Sequence, residues 1–139
     1  MLSSKAKYAL KAMTRLAHAH DQGPQQLDDI AQAENIPRYF LSGILVSLTK
    51  HGLLTSKKGK GGGYVLAAAP SSISVARIVH LLDGQGPPSH ACCGECPEPG
   101  RCSIRSLVNA SRLHTEQLFR TMTLDQLAAN IAPRQEPRR

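Results

Sequence analysis

His51–Ala68 reads HGLLTSKKGKGGGYVLAA, and the way this stretch divides decides the fold. Gly52 suits the position just past the end of a helix, where a left-handed backbone closes the last turn. Leu53–Lys57 and Tyr64–Ala67 are short, strand-like and bounded by turn residues, so the spacing predicts two strands. Between them Lys58, Gly59, Lys60, Gly61, Gly62 and Gly63 form a hairpin tip that combines positive charge with a closely folded backbone. The plainer reading of GKGGG is a flexible linker. The apolar segments on both sides favour the hairpin.

Upstream, the apolar residues recur at helical spacing. Over residues 3–20, Tyr8, Ala9, Ala12, Met13, Leu16 and Ala17 fall on one face, with Ser3 or Ser4 as a cap. Gly23 and Pro24 break this pattern. Residues 26–33 form a short helix with Leu27, Ile30 and Ala31 inward. Pro37 then opens a third helix, which runs to about Lys50 and buries Leu41, Ile44, Leu45 and Leu48. Its outward side carries Arg38, Tyr39, Ser42, Gly43, Ser47 and Thr49, in place of the Glu/Lys mixture of an ordinary solvated face. Such a face can enter a DNA major groove. Gly43 costs a helix about 1 kcal/mol relative to Ala, which close approach to a backbone would explain as well as simple tolerance. Helix, helix, turn, helix and basic hairpin together predict a winged helix-turn-helix, mainly α with a two-stranded wing. Its wing would reach phosphates or the minor groove.

The charge distribution agrees. The chain of 139 residues carries a formal charge of +7. Residues 1–70 hold nine Lys/Arg against four Asp/Glu, and residues 71–139 hold eight against six. A basic first half with few aromatics suits phosphate backbones better than stacked single strands. Charge alone is equally compatible with a soluble basic protein that has no polyanion partner. No apolar run is long enough to span a bilayer, and Lys5, Lys7, Lys11 and Arg15 interrupt any secretory signal. The expected compartment is therefore the cytoplasm, where clustered cysteines bind metal or sense redox state more often than they form lasting disulfides.

Downstream, residues 72–82 predict a helix and residues 103–122 a longer one with Ile104, Leu107, Val108, Ser111, Thr115, Leu118 and Met122 on one stripe. That stripe must fold back on the domain or pair with a second copy. A short helical segment, TLDQLAAN, and a basic tail over 132–139 complete the chain. Between the two helices lies Cys92–Cys102, CCGECPEPGRC, which holds all four cysteines of the protein. Thiolates are the soft ligands that iron–sulfur clusters and zinc require. Pro97 and Pro99 stiffen this loop, Gly94 and Gly100 let it wrap, and Arg101 and Arg105 favour thiolates. A cluster ranks first once the family resemblance described below is counted. Structural zinc ranks second, because Cys93 and Cys96 form C-x2-C with no matching second pair. Thiol–disulfide sensing ranks third. The other histidines are scattered, and no nucleotide-binding, hydrolase or triad motif is present, so no enzyme is expected.

The order of elements, KYALKAM near the N-terminus, GILVSLTKHGLL, the wing KGKGGGYVLA and the cysteine loop together resemble the Rrf-type winged helix-turn-helix transcription regulators, with their IscR-, NsrR- and RirA-like groups. The resemblance covers about residues 1–130. The family wing is R-G-x-x-G-G-Y, and here Lys58 replaces the arginine. The resemblance implies a homodimeric DNA-binding regulator whose operator affinity is set by an iron–sulfur cluster, 2Fe–2S or 4Fe–4S. It places Arg38, Tyr39, Ser42 and Gly43 at the start of the recognition helix, and Lys58 and Lys60 in the wing. It assigns Cys96 and Cys102 as ligands at the family spacing, with Cys92 and Cys93 competing for the first position.

Many members have a histidine three residues after the last cysteine; here that residue is Arg105. A carboxylate that some members supply near the N-terminus is Lys7 here. The fourth ligand is open between the extra cysteine, His90 and solvent. Three cysteines without the histidine most resemble the iron-regulator branch. The expected organisation is thus a DNA-binding domain over 1–82, a cluster-binding loop over 83–102, a dimerisation helix with a terminal turn over 103–131, and the tail. The expected partners are a double-stranded DNA operator and a second copy, with no membrane and no small-molecule substrate. The expected role is repression governed by iron or cluster supply, or by oxidative or nitrosative stress. A regulator using a thiol switch or zinc is the alternative, and a small iron–sulfur electron carrier is the rival of another class.

Overall fold

The structure is a computed structural model that describes residues 2–84 and 102–130. Helix α1 spans Ser4–His18, and Ser3 caps it by accepting a hydrogen bond from the Ala6 amide. Helix α2 spans Leu27–Glu34 and α3 spans Arg38–Lys50. Asn35 joins them in the left-handed conformation that Asn tolerates better than most residues. The Ile36 amide then donates to the Ala31 carbonyl at 2.9 Å, and the Ile36 side chain is buried. This sharp turn sets α3 across α2, and Pro37 caps α3 from just outside it.

Strands β1 (Leu54–Lys57) and β2 (Gly63–Leu66) pair antiparallel, with Leu54 opposite Leu66 and Lys57 opposite Gly63. Both lie within a residue of their expected places. A feature that the sequence pattern does not announce is the bridge between Gln25 and Tyr64. The Gln25 amide donates to the Tyr64 carbonyl at 3.0 Å, and the Tyr64 amide returns the bond at 2.8 Å. The wing is thereby stitched to the segment between α1 and α2. Gly63 explains itself here. Its φ is +144°, and a Cβ at this position would stand 2.4 Å from the Gln25 carbonyl oxygen. At Gly62 a Cβ would stand 2.3 Å from the Lys57 carbonyl oxygen. The glycines thus let strands and turn close on one another, which a linker has no need to do.

A 3-10 turn at Pro70–Ser72 leads to α4 (Val75–Asp83), capped by Ser74. The helix starts later than the apolar pattern suggests, but Ile73, Val75, Ala76, Ile78 and Val79 are all buried as the pattern requires. Helix α5 spans Ser103–Thr121 and α6 spans Leu124–Ala129. A reciprocal capping box between Thr123 and Gln126 starts α6. The Val75 amide donates to the Met122 carbonyl at 2.9 Å, and the Leu124 amide to the Ile73 carbonyl at 2.8 Å. These bonds carry the chain from α5 back to the core, where α6 packs on α1.

One hydrophobic core holds these elements together. Met13, Ile30, Leu41, Ile44, Leu45, Leu48, Leu53, Ile73, Ile78 and Leu124 are its largest fully buried side chains. Burying each removes apolar surface worth about 2 kcal/mol from water. All four α3 residues expected inward are among them, so the opposite face of α3 is left outward.

Candidate nucleic-acid interface and the cysteine segment

The outward face of α3 follows from that packing. Residues 39, 43, 46 and 50 stack at spacings of three and four, half a turn from the buried leucines. Tyr39 is 86% exposed and Val46 57% exposed, and Gly43 and Lys50 lie between and beyond them. Phe40, 59% exposed, meets Tyr39 edge-on with ring centroids 5.9 Å apart. Ser42 is half-buried beside this stripe. Ser47 and Thr49 are also half-buried, and Thr49 Oγ1 donates to the Leu45 carbonyl at 2.7 Å, so neither stands as openly as the sequence pattern suggests.

Arg38 is exposed at the first turn of α3. Its Nε lies 2.5 Å from Asp28 Oδ1 on α2, with both side chains about two-thirds exposed (67% and 68%). An ion pair so open to water contributes little to stability, so it can exchange for a phosphate. Lys58 and Lys60 are exposed at the wing turn, which the Gly62 amide closes on the Gly59 carbonyl at 3.0 Å. Lys5, at the first turn of α1, lines a surface recess with Tyr39, Phe40, Ser42, Gly43 and Ile44. Lys5, Phe40 and Val46 join the site only in three dimensions. Phe40 and Val46 read as core residues by type, and the rotation of α3 that buries Leu41, Ile44, Leu45 and Leu48 puts them outside.

Cys102 is the cysteine that the described residues contain. It is half-buried at the N-cap of α5, with its carbonyl accepting from the Ser106 amide at 3.3 Å. Cys92, Cys93, Cys96 and His90 lie outside the described residues. Among the described residues, no three His, Cys, Asp or Glu side chains come together to hold a metal ion.

Helix α5, which Cys102 caps, has a packed side and an outer side. Helix α5 packs along α4, where His80 Nε2 lies 2.9 Å from Glu116 Oε2 and Arg120 Nε lies 2.7 Å from Glu116 Oε1. The Arg120 hydrogen bond, followed by that of His80, holds the Glu116 carboxyl below its ordinary range. Among the described residues, apolar side chains on the outer side of α5 are exposed. Ile104, Leu107 and Leu118 are 55%, 66% and 48% exposed, and no α5 residue is fully buried. No helix among the described residues is long and apolar enough to cross a membrane.

A helix-turn-helix with an outward recognition helix and a basic wing defines a DNA-binding regulator. The family described as Rrf2, iron-dependent transcriptional regulator, matches residues 2–130, and the chain belongs to it. It is 33% identical over 135 residues to the HTH-type transcriptional regulator CymR of Bacillus subtilis, covering 97% of this chain and 94% of that one. It is 30% identical over 142 residues to the regulator IscR of Pectobacterium carotovorum, covering 97% and 86%. The solved structure of B. subtilis CymR, the global cysteine regulator of that organism, superposes with a TM-score of 0.76 at 31% identity, covering 95% of this chain and 98% of that one. These relatives are transcription regulators and not enzymes, and both the recognised family and the winged-helix architecture stand as the sequence implied.

Proposed function

We propose that the protein is a cytosolic, homodimeric repressor whose operator affinity is set by an iron–sulfur cluster held by Cys102 with cysteines from Cys92, Cys93 and Cys96. In this reading Arg38, Tyr39, Ser42 and Gly43 meet the major groove, and Lys58 and Lys60 meet phosphates beside it. Residues 1–82 form the DNA-binding part, 83–102 the cluster loop and 103–131 the dimerisation part. His90 is an additional candidate ligand. The observation that carries the reading is the place of Cys102. It stands where the cysteine-rich segment meets α5, and a helix N-terminus favours an anionic group at its cap. Four soft donors within eleven residues fit either a 2Fe–2S or a 4Fe–4S cluster.

Such a cluster supplies a centre that is gained, lost or oxidised as iron supply and oxidants change. The protein's part is mechanical. A thiolate ligated at Cys102 fixes the first turn of α5. Glu116 passes that position to α4 through His80, and α4 is packed into the domain that carries α3. Two-state coupling of this kind needs only different affinities of DNA for the two arrangements. The clustering of four cysteines in one segment beside Arg101 and Arg105 also supports a second reading, in which they respond as thiols without a metal. Zinc is the third occupant.

Absorbance together with iron, sulfide and zinc analysis, on protein purified without oxygen, separates the three. The cluster reading expects a brown protein with iron and sulfide, bleached in Cys102→Ala while the helical circular dichroism persists. A colourless protein with one zinc per chain makes the loop a structural clip. A colourless, metal-free protein selects the thiol switch.

A further inference from the structure

Over its first two turns the outward stripe of α3 lacks the side chains that read bases by paired hydrogen bonds. Bidentate readout takes Arg or Lys for guanine, and Asn or Gln for adenine. Tyr39, Ser42, Gly43 and Val46 make up the first two turns of the exposed face, and none of them can do this. Arg38 sits about 100° round the helix from Tyr39 and is turned to Asp28. Lys50 stands at the far end. Exposed on the stripe are an aromatic ring and two valine methyls, with Gly43 between them.

Gly43 carries independent information. It is helical, its φ is ordinary, and a Cβ built on it meets nothing within 4 Å. Neither turn geometry nor packing inside the protein asks for glycine here. A glycine with no internal reason, at the middle of a face aimed outward, points to something outside that approaches the helix closely.

We infer that α3 reads thymine methyl groups. Tyr39 and Val46 pack against C5 methyls in the major groove of an A·T-rich half-site, and the missing side chain at Gly43 lets the helix axis come close enough for both contacts. The inference rests on α3 being the recognition helix and adds the chemistry that it recognises. Apolar contact is how a protein distinguishes thymine by its methyl group, and burying one such group is worth about fourfold in affinity.

The test selects duplexes from a randomised double-stranded pool with the full chain, both as purified without oxygen and after metal removal. The enriched duplex is then remade with deoxyuridine in place of thymidine, which deletes the methyl and leaves every hydrogen-bonding group. Runs of A·T pairs in the enriched half-sites, and a loss of about fourfold for each contacted methyl, are expected. Val46→Ala should bind thymine and uracil duplexes alike at one base pair and still discriminate at the others. Gly43→Ala should raise the Tm by roughly 4 °C. It should also weaken binding to the enriched duplex about tenfold, because a methyl is forced into a filled contact. Equal binding of thymine and uracil duplexes, G·C pairs under α3, or an undiminished Gly43→Ala variant would overturn the inference. A chain that enriches no duplex in either state would overturn the recognition-helix reading itself.

Discussion

Lys58 and Lys60 stand on either side of Gly59 on an exposed turn whose shape is set by backbone contacts and not by their own side chains. Removing their charges therefore leaves the wing folded. Each lysine at a phosphate releases about one counterion, so Lys58→Ala with Lys60→Ala should reduce the slope of log affinity against log salt by roughly two per protomer. The loss should fall about equally on all duplex sequences, because phosphate contacts carry no sequence information. Titrations at several salt concentrations check this, and an unchanged slope would take the lysines out of the interface. The basic, glycine-rich character of this turn is readable in the sequence because charge and turn chemistry are local. The reason for Gly63 is not local. It lies in the Gln25 carbonyl, 38 positions away, and no periodicity in the chain announces a one-residue strand. Val46 is a different case: its apolar type suggests burial, but helical spacing from Leu41, Ile44, Leu45 and Leu48 turns it outward.

At the scale of elements, the join between α4 and α5 depends on Glu116. The pairing with Arg120 is an i,i+4 contact visible in the sequence, whereas His80 comes from another helix. Because Arg120 and then His80 hold the Glu116 carboxyl below its ordinary range, the ionised form favours the folded state. A depressed folded value means that the contribution is complete above the unfolded carboxylate range and disappears as pH falls through the folded one. At neutral pH, Glu116→Gln should cost no more than about 1 kcal/mol, since Glu116 remains open to solvent screening. The unfolding curves of parent and variant should separate at pH 7 and start to converge only as pH falls below the ordinary carboxylate range, about pH 4. Parallel curves down to pH 3 would show that the carboxylate charge does not hold this join. The helices themselves were legible because apolar residues recur every three to four positions. The late start of α4 was not, since Ile73 is buried ahead of the Ser74 cap and so continues the apolar run of the helix.

For the whole molecule, the decisive feature is a 19-residue helix without one fully buried side chain. Helix α5 rests on α4 along one side, is tied to the core at its C-terminal end by the Val75 and Leu124 amides, and leaves Ile104, Leu107 and Leu118 in water. The sequence shows that stripe and poses the choice between folding back and pairing. The fold answers half of it, because α6 and not α5 returns to the core through Leu124. A second copy applied by a twofold axis would cover the same stripe on both chains, since such an interface is self-complementary. It would also place two α3 helices to meet half-sites about 34 Å apart or a multiple of that distance. Leu107→Glu puts a charge into the middle of the stripe on both protomers at once. It should convert the dimer to a monomer in sedimentation and lower affinity for a two-half-site duplex far more than for a single half-site. Leu113, 60% exposed, lies half a turn round the helix from Ile104 and outside the stripe, so Leu113→Glu should leave the sedimentation coefficient unchanged. If Leu107→Glu sediments like the parent chain, the pairing surface is elsewhere.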